Sequence, residues 1–340
     1  MLPVIIYPPT IDWDQLHQRP QQLLKALSRY GAVSVFCNLN LHKRHTDGIE
    51  YLSPALLLAN GMSLTQTLQW VRDSYPESPV IIYYTYPPHI PFIRSLPRDL
   101  LIFDSVDEPS DEFVSWYADY AAAVDTSDVV LVSAVSLFTR ARQATDKPVH
   151  LLPNGCDFEH FRSAVTRQPL PEHPFILGKP VIGYIGAIAP WLDWQLINTM
   201  AHALPGFEFV FIGSPLLQHG IGLANKNMHY LGHKDYQELP RYLSNFSYCL
   251  IPFKLTCLTR GVNPVKFWEY LASGLPILTT ALPEIPHSYA TIICEDMFPG
   301  FLPEPDHAGR DARIRLAKEN SWDIRAQQLL GIIQNKLANG

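Results

Sequence analysis

Lys266 and Glu269 are the only charged residues between Asn263 and Gly274 in the stretch RGVNPVKFWEYLASGLPILTT, residues 260–280. A solvated outer helix would carry many more charges. A helix buried on most sides would carry none, because an unpaired buried charge is costly. Asn263 can cap this helix and Pro264 suits its first position. The helix start then offers free N–H groups and the positive end of the dipole, a natural seat for a phosphate. Lys266 lies in that first turn and Glu269 one turn on, on the same face. Lys266 can neutralise phosphate while Glu269 accepts hydrogen bonds from a diol such as ribose. The other reading is a Lys–Glu pair that only stabilises the helix, and spacing alone leaves the two open. Arg260 is a further cation just upstream.

Other polar residues come after hydrophobic runs. FDSVDEPSDEF (103–113) sets Asp104, Asp107 and Glu108 at the end of a strand. A carboxylate there can orient an acceptor hydroxyl or stabilise a positively charged sugar. Asp107 is the choice for a functional acid and Glu108 a lesser, acceptor-side one. Helix capping by Asp107 or Ser110 is the competing reading. In IDWDQLHQRPQQ (11–22) Pro20 suits a first helical turn, which puts Arg19 at a helix N-terminus as an anion ligand. His17 is either an acceptor-side group or a packed structural histidine. The glycines of GYIGAI (183–188), Gly186 among them, let a backbone approach a phosphate. In PNGCDF (153–158), Asn154-Gly155 reads as a turn, and Asp157 can cap the segment after it.

The elements that must position these groups alternate. Strands are expected at 4–7, 32–36, 80–84, 100–106 and 128–133, with helices near 18–30 and 110–124, and VHLLPN (149–154) closes the set. After the Pro-rich RQPLPEHPFILGKP the pattern restarts, with strands at 180–186, 207–213, 228–232, 247–253 and 276–280. Continuous apolar strands alternating with helices indicate parallel sheets covered on both faces. The fold class is therefore α/β, as two successive doubly wound domains. The first spans residues 1–166, a linker 167–180, the second domain 181–316, and an amphipathic C-terminal helix 317–340, placed to pack back on the first domain. In such sheets ligands bind beyond the carboxyl ends of the strands.

The 340 residues are 47% hydrophobic and 17% charged, a globular composition. A net charge of −6 gives no footprint for nucleic acid. No apolar run approaches the ~20 residues that span a bilayer, and the start, MLPVIIY, has no basic, cleavable leader. A cytoplasmic protein is expected, with peripheral contact at the inner membrane face left open through a small apolar patch such as ALLLA (55–59). Five scattered cysteines form no CxxC pair, so no disulfide framework or zinc site is indicated. No GxGxxG with a downstream acid, GxSxG or HExxH occurs, which argues against dinucleotide oxidoreductases, α/β-hydrolases and zinc proteases.

RGVNPVKFWEYLASGLPILTT, HQRPQQLLKAL (17–27), FDSVDEPSDEF, LLPNGCDFEHF (151–161) and IGYIGAIAPWLDWQLI (182–197) together resemble GT-B glycosyltransferases related to family 4. They are similar to the subgroup of teichuronic-acid and other cell-surface polysaccharide transferases, and the likeness runs the length of the chain. The resemblance implies two facing Rossmann-like domains and retaining transfer of a sugar from a nucleotide-diphosphate donor, a UDP- or GDP-sugar, to a hydroxyl acceptor. It implies no cofactor and no metal. Glu269 matches the second carboxylate of the family's E-x7-E motif, which holds the donor ribose, whereas the first would fall at Gly261. The Arg and Lys that grip the diphosphate after the second domain's first strand fall at Ala187 and Leu192. The expected catalytic residues are thus Asp107 and Lys266, and the expected donor site Glu269, Arg260, Asn263, Gly186 and Arg19, with a glycan or lipid-linked acceptor. Two rivals stay open: a non-catalytic sugar-nucleotide or glycan-binding partner subunit, and a nucleotide-sugar epimerase.

Overall fold

The structure is a computed structural model that describes residues 2–14, 17–170, 173, 178–216, 220–295, 302 and 309–339. By contact density the chain divides into two compact units. The first comprises Met1–Asn154, Gly261–Asn263 and Trp322–Gly340; the second comprises Gly155–Arg260 and Pro264–Ser321.

In the first unit β1 (Val4–Tyr7), α1 (Arg19–Arg29), β2 (Val33–Asn38), β3 (Gly48–Ser53), β4 (Leu56–Asn60), α2 (Leu64–Ser74), β5 (Val80–Tyr84) and α3 (Ile90–Ile93) lead to β6 (Leu100–Ser105). A 3-10 turn (Asp111–Trp116), α4 (Tyr117–Thr126), β7 (Val129–Val132), α5 (Val135–Ala144) and β8 (Val149–Leu151) complete it. The sheet order is β3-β4-β2-β1-β5-β6-β7-β8, parallel except for the β3–β4 hairpin at one edge. Its central strands are buried end to end, as VIIY and VIIYY require of a sheet covered on both faces. The stretch ALLLA corrects an expectation. It enters β4, where Leu56, Leu57, Leu58 and Ala59 lie in the core, and so presents no apolar surface patch. The expected helix near 110–124 is split, because Phe113 leaves helical geometry and the 3-10 turn precedes α4.

In the second unit α6 (Phe158–Arg162), β9 (Val181–Ile185), α7 (Trp194–Ala203), β10 (Glu208–Ile212), β11 (Met228–Tyr230) and α8 (Leu239–Leu243) come first. Next are β12 (Tyr248–Ile251), α9 (Cys257–Arg260), α10 (Val265–Ser273), β13 (Ile277–Thr279), β14 (Thr291–Ile292) and α11 (Arg310–Glu319). All six strands are parallel, in the order β11-β10-β9-β12-β13-β14. Pro240 sits in the first turn of α8, as its missing N–H favours. Part of the expected linker, 171–172 and 174–177, lies outside the described residues. Its start is tied down, with Gln168 N donating to Ser244 Oγ (3.0 Å) and Arg167 Nε to Asn245 Oδ1 (3.0 Å). The last helix, α12 (Trp322–Asn339), returns to the first unit and packs against α1, burying Trp322, Leu329 and Ile333.

Candidate functional site

In the second unit the groups gather at the carboxyl end of the sheet, around α10. Phe267, Trp268, Tyr270 and Leu271 turn into the core, while Lys266 and Glu269 share the half-buried side. Two devices fix the helix. Tyr270 OH accepts from Ile185 N (2.8 Å), tying the second turn to the end of β9. At the far end Gly274 takes the left-handed conformation (φ 74°), and its carbonyl accepts from Arg313 Nε (3.1 Å) and Nη2 (3.0 Å). A cation on the carbonyl end is where the helix dipole favours one. The amino end has no side-chain cap, so its first N–H groups stay available to a ligand.

Here the structure corrects one detail. Pro264, not Asn263, is the N-cap residue. Asn263 is drawn into the first unit, where its Oδ1 accepts from Asn154 N (3.1 Å) and its carbonyl from Asn154 Nδ2 (2.6 Å). The sequence signal, Asn before Pro before a helix, was right about the breakpoint. A long-range partner then outcompeted the local cap.

Lys266 and Glu269 do not pair directly. Within the described residues neither makes a hydrogen bond or ion pair, and the Lys266 ammonium instead rests over the rings of Phe253 (4.9 Å) and Tyr184 (5.3 Å). Burial pulls the Lys266 pKa below its usual value, opposed by the charge of Glu269. Burial pushes the Glu269 carboxyl up, with Lys266 opposing and Asp157 adding to the rise. The stabilising-pair reading therefore has no contact to rest on. What remains is a cation and a carboxylate one turn apart, each with unused bonding capacity.

Gly186, past the end of β9, joins them. Its φ of 153° lies in the region glycine favours, and a Cβ there would come within 2.7 Å of Lys266 Cε and 3.0 Å of Tyr184 OH. Gly213, past β10, is packed harder still: a Cβ would meet Gly186 O at 1.9 Å. The two glycines let the strand-end loops stack beside the Lys266 head. Arg260 closes α9 as an exposed side chain. Ala187 and Leu192 supply no cation, and Leu192 is fully buried. Another element does: Lys254 Nζ, from the end of β12, donates to Pro190 O (2.8 Å) in the loop after β9. Sequence reasoning missed Lys254, as well as Tyr184 and Phe253 as the walls around Lys266. Only the β9–β12 adjacency reveals them.

The first unit holds the remaining groups. Arg19 stands at the start of α1 but is only 3% exposed. Its guanidinium grips Asp104 with two bonds (2.6 and 3.0 Å), reaches Asn154 Oδ1 (3.1 Å) and lies over Trp322 (6.0 Å). Asp104 also accepts from Tyr83 OH (2.6 Å). This is a satisfied buried network, and it places Arg19 in a structural ion pair rather than at an open anion seat. Glu108 is likewise committed, to Arg140. His17 lies half-buried just ahead of α1. Asp107 differs. It caps nothing, has no hydrogen-bond or ion-pair partner among the described residues, and burial raises its pKa to about 6. A carboxyl with these properties in a strand-end loop suits general acid–base or electrostatic work near neutral pH.

Comparison with known proteins agrees with this geometry. Residues 179–306 match the family described as Glycosyl transferases group 1. The chain is 25% identical over 203 residues to the putative teichuronic acid biosynthesis glycosyltransferase TuaH of Bacillus subtilis, covering 54% of this chain and 50% of TuaH. The chain thus spans about half the length of the curated relative it matches. Among solved structures, sucrose-phosphate synthase from Thermosynechococcus elongatus is similar over 100% of both chains, with a TM-score of 0.71 at 13% identity. Anabaena HepE, solved in complex with UDP and glucose, is similar over 98% of this chain and 100% of its own, with a TM-score of 0.65 at 14% identity. The fold is GT-B, built of two Rossmann-like α/β domains with parallel sheets, and the resemblance to GT-B glycosyltransferases read from the sequence is borne out.

Proposed function

We propose that this chain is a retaining glycosyltransferase that moves a sugar from a UDP- or GDP-sugar to a hydroxyl acceptor in glycan or polysaccharide synthesis. The observation that carries the reading is the pair Lys266 and Glu269. They are half-buried, one turn apart at an uncapped helix start, and unbonded to each other or to the rest of the protein among the described residues. The likeness to TuaH supports the transferase class, and a structural neighbour solved with UDP and glucose supports the donor class.

In this reading the donor diphosphate seats at the amino end of α10, against Lys266 and the backbone of Gly186, with Arg260 and Lys254 as further cations. Glu269 accepts the ribose hydroxyls. As the sugar–phosphate bond breaks, negative charge builds on the departing diphosphate. Lys266 and the helix-end N–H groups stabilise it electrostatically. The leaving diphosphate takes the acceptor proton on the same face, so no strong protein base is required. Asp107, carried by the first unit, is the candidate to orient the acceptor hydroxyl. Of the expected donor ligands, Arg19 and Asn263 act instead by holding the structure around them.

The test is incubation with UDP-, GDP- and dTDP-sugars, with and without acceptors, and analysis of the products. Slow donor hydrolysis by the wild-type chain, abolished in Lys266→Met, is expected. Epimer formation, or donor binding without turnover for every acceptor supplied, would replace the transferase reading with one of its two rivals.

A further inference from the structure

Two neighbouring strand-end connections of the first unit carry aromatic side chains that the donor chemistry does not use. The connection after β5 supplies Tyr86 and His89, whose rings meet edge to face at 5.0 Å. The connection after β6, which also holds Asp107, supplies Phe113 and Trp116, tilted together at 4.6 Å. Tyr86 meets Trp116 at 5.6 Å, which joins the two into one cluster. β5 and β6 are paired in register from Ile81↔Leu100 to Tyr84↔Phe103, so the cluster arises directly from the sheet.

The cluster is not core. No residue of Asp111–Trp116 is buried, and the adjoining Val114 and Tyr117 are 65% and 66% exposed. Tyr86, Phe113 and Trp116 themselves are half-buried, and aromatic residues left partly open on a folded surface mark recognition sites. The charges beside them choose the occupant. The second connection, residues 106–117, contains no Lys or Arg, and Asp107, Asp111 and Glu112 line it; Arg140, which reaches it from α5, is paired with Glu108. The first connection holds Arg94 and Arg98 near its end, where Arg98 donates to the carbonyls of Ile93, Arg94 and Leu96. His89 is held neutral, since burial lowers its pKa to about 4. An anionic bilayer is attracted by basic residues and repelled by these carboxylates. Phosphorylated or uronic-acid ligands are disfavoured by the same charge. An uncharged sugar ring fits both features: its C–H faces lie against aromatic rings, and its hydroxyls donate to carboxylates.

We propose that Tyr86, Phe113 and Trp116 form a stacking subsite for a neutral pyranose ring of a glycan acceptor, with Asp107 on the same connection to receive an acceptor hydroxyl. This rests on the transferase reading for the word acceptor, and on the cluster itself for the sugar.

The experiment uses the full chain, fluorescently labelled, on a printed array of neutral and uronic-acid glycans and on phosphatidylglycerol–phosphatidylethanolamine vesicles. UDP and GDP binding are measured on the same preparations by calorimetry. Retention on neutral glycans is expected, falling about tenfold in Trp116→Ala and Tyr86→Ala and returning in Trp116→Phe. Nucleotide affinity per folded molecule should stay at the wild-type value, since these side chains belong to the first unit and touch none of the donor groups, while Trp116→Phe keeps the packing that Trp116→Ala gives up. The proposal is overturned if no neutral glycan is retained, if the variants leave retention unchanged, or if the variants abolish binding to vesicles instead. Retained glycan binding without any nucleotide binding would support the subsite while refuting the transferase reading.

Discussion

Replacing Glu269 by Gln tests the donor site most directly, because the structure separates its cost to folding from its cost to binding. Glu269 makes no hydrogen bond or direct ion pair among the described residues, so the substitution breaks none. For both Glu269 and Lys266 burial outweighs their mutual attraction. Removing the carboxylate charge therefore relieves a net desolvation cost, so native stability should not fall. The pH dependence has a definite sign. A carboxyl raised above its unfolded value favours the protonated native state. Its contribution is full below the ordinary carboxylate range and is lost as pH rises through the raised value. Wild type and Glu269→Gln should thus be equally stable in acid, with the variant gaining relative stability toward neutral pH. Binding behaves oppositely. A diol held by a carboxylate uses two charge-assisted bonds, and weakening them to amide bonds should cost about 2 kcal/mol, or roughly 30-fold in affinity. Calorimetric titration with UDP and GDP, paired with thermal unfolding between pH 4 and 8, measures both quantities. A melting temperature several degrees lower, with affinity per folded molecule unchanged, would refute the reasoning and return Glu269 to a structural role.

Arg19→Met should behave differently, because it leaves Asp104 buried without its cation. We expect a loss of about 3–5 kcal/mol in chemical denaturation, with nucleotide affinity per folded molecule preserved. Asp107→Asn should remove an acid limb near pH 6 from the profile of kcat/KM, since the carboxyl is active when ionised and wild-type rate falls as pH drops through that value. The same substitution should raise stability above pH 6, where the native state otherwise bears a buried, unpartnered charge. Gly213→Ala should destabilise the second unit by about 3 kcal/mol, because its Cβ would collide with Gly186 O and its φ of 146° disfavours any side chain. Limited proteolysis of that unit would report the loss.

Much of this protein is set by local pattern. Runs such as VIIY, VIIYY and DVVLVS can only be strands buried on both faces, and their alternation with amphipathic segments specifies parallel α/β sheets. Lys266 and Glu269, isolated in an otherwise apolar helix, stand out by residue type and spacing, although spacing alone leaves their role open. Other features are written in no single segment. ALLLA reads as a surface patch until pairing with β2 buries it. Arg19 and Glu108 read as ligands until Asp104 and Arg140 arrive from distant elements to neutralise them. Asn263 reads as a cap until Asn154 takes its hydrogen bonds. Lys254 supplies a cation to a loop whose own sequence has none. The physical reason is common to all of these. Periodicity and backbone preference act within a few residues, so the sequence displays them directly. A buried polar group takes whichever partner the completed fold brings within about 3 Å, and only the tertiary structure determines which partner that is.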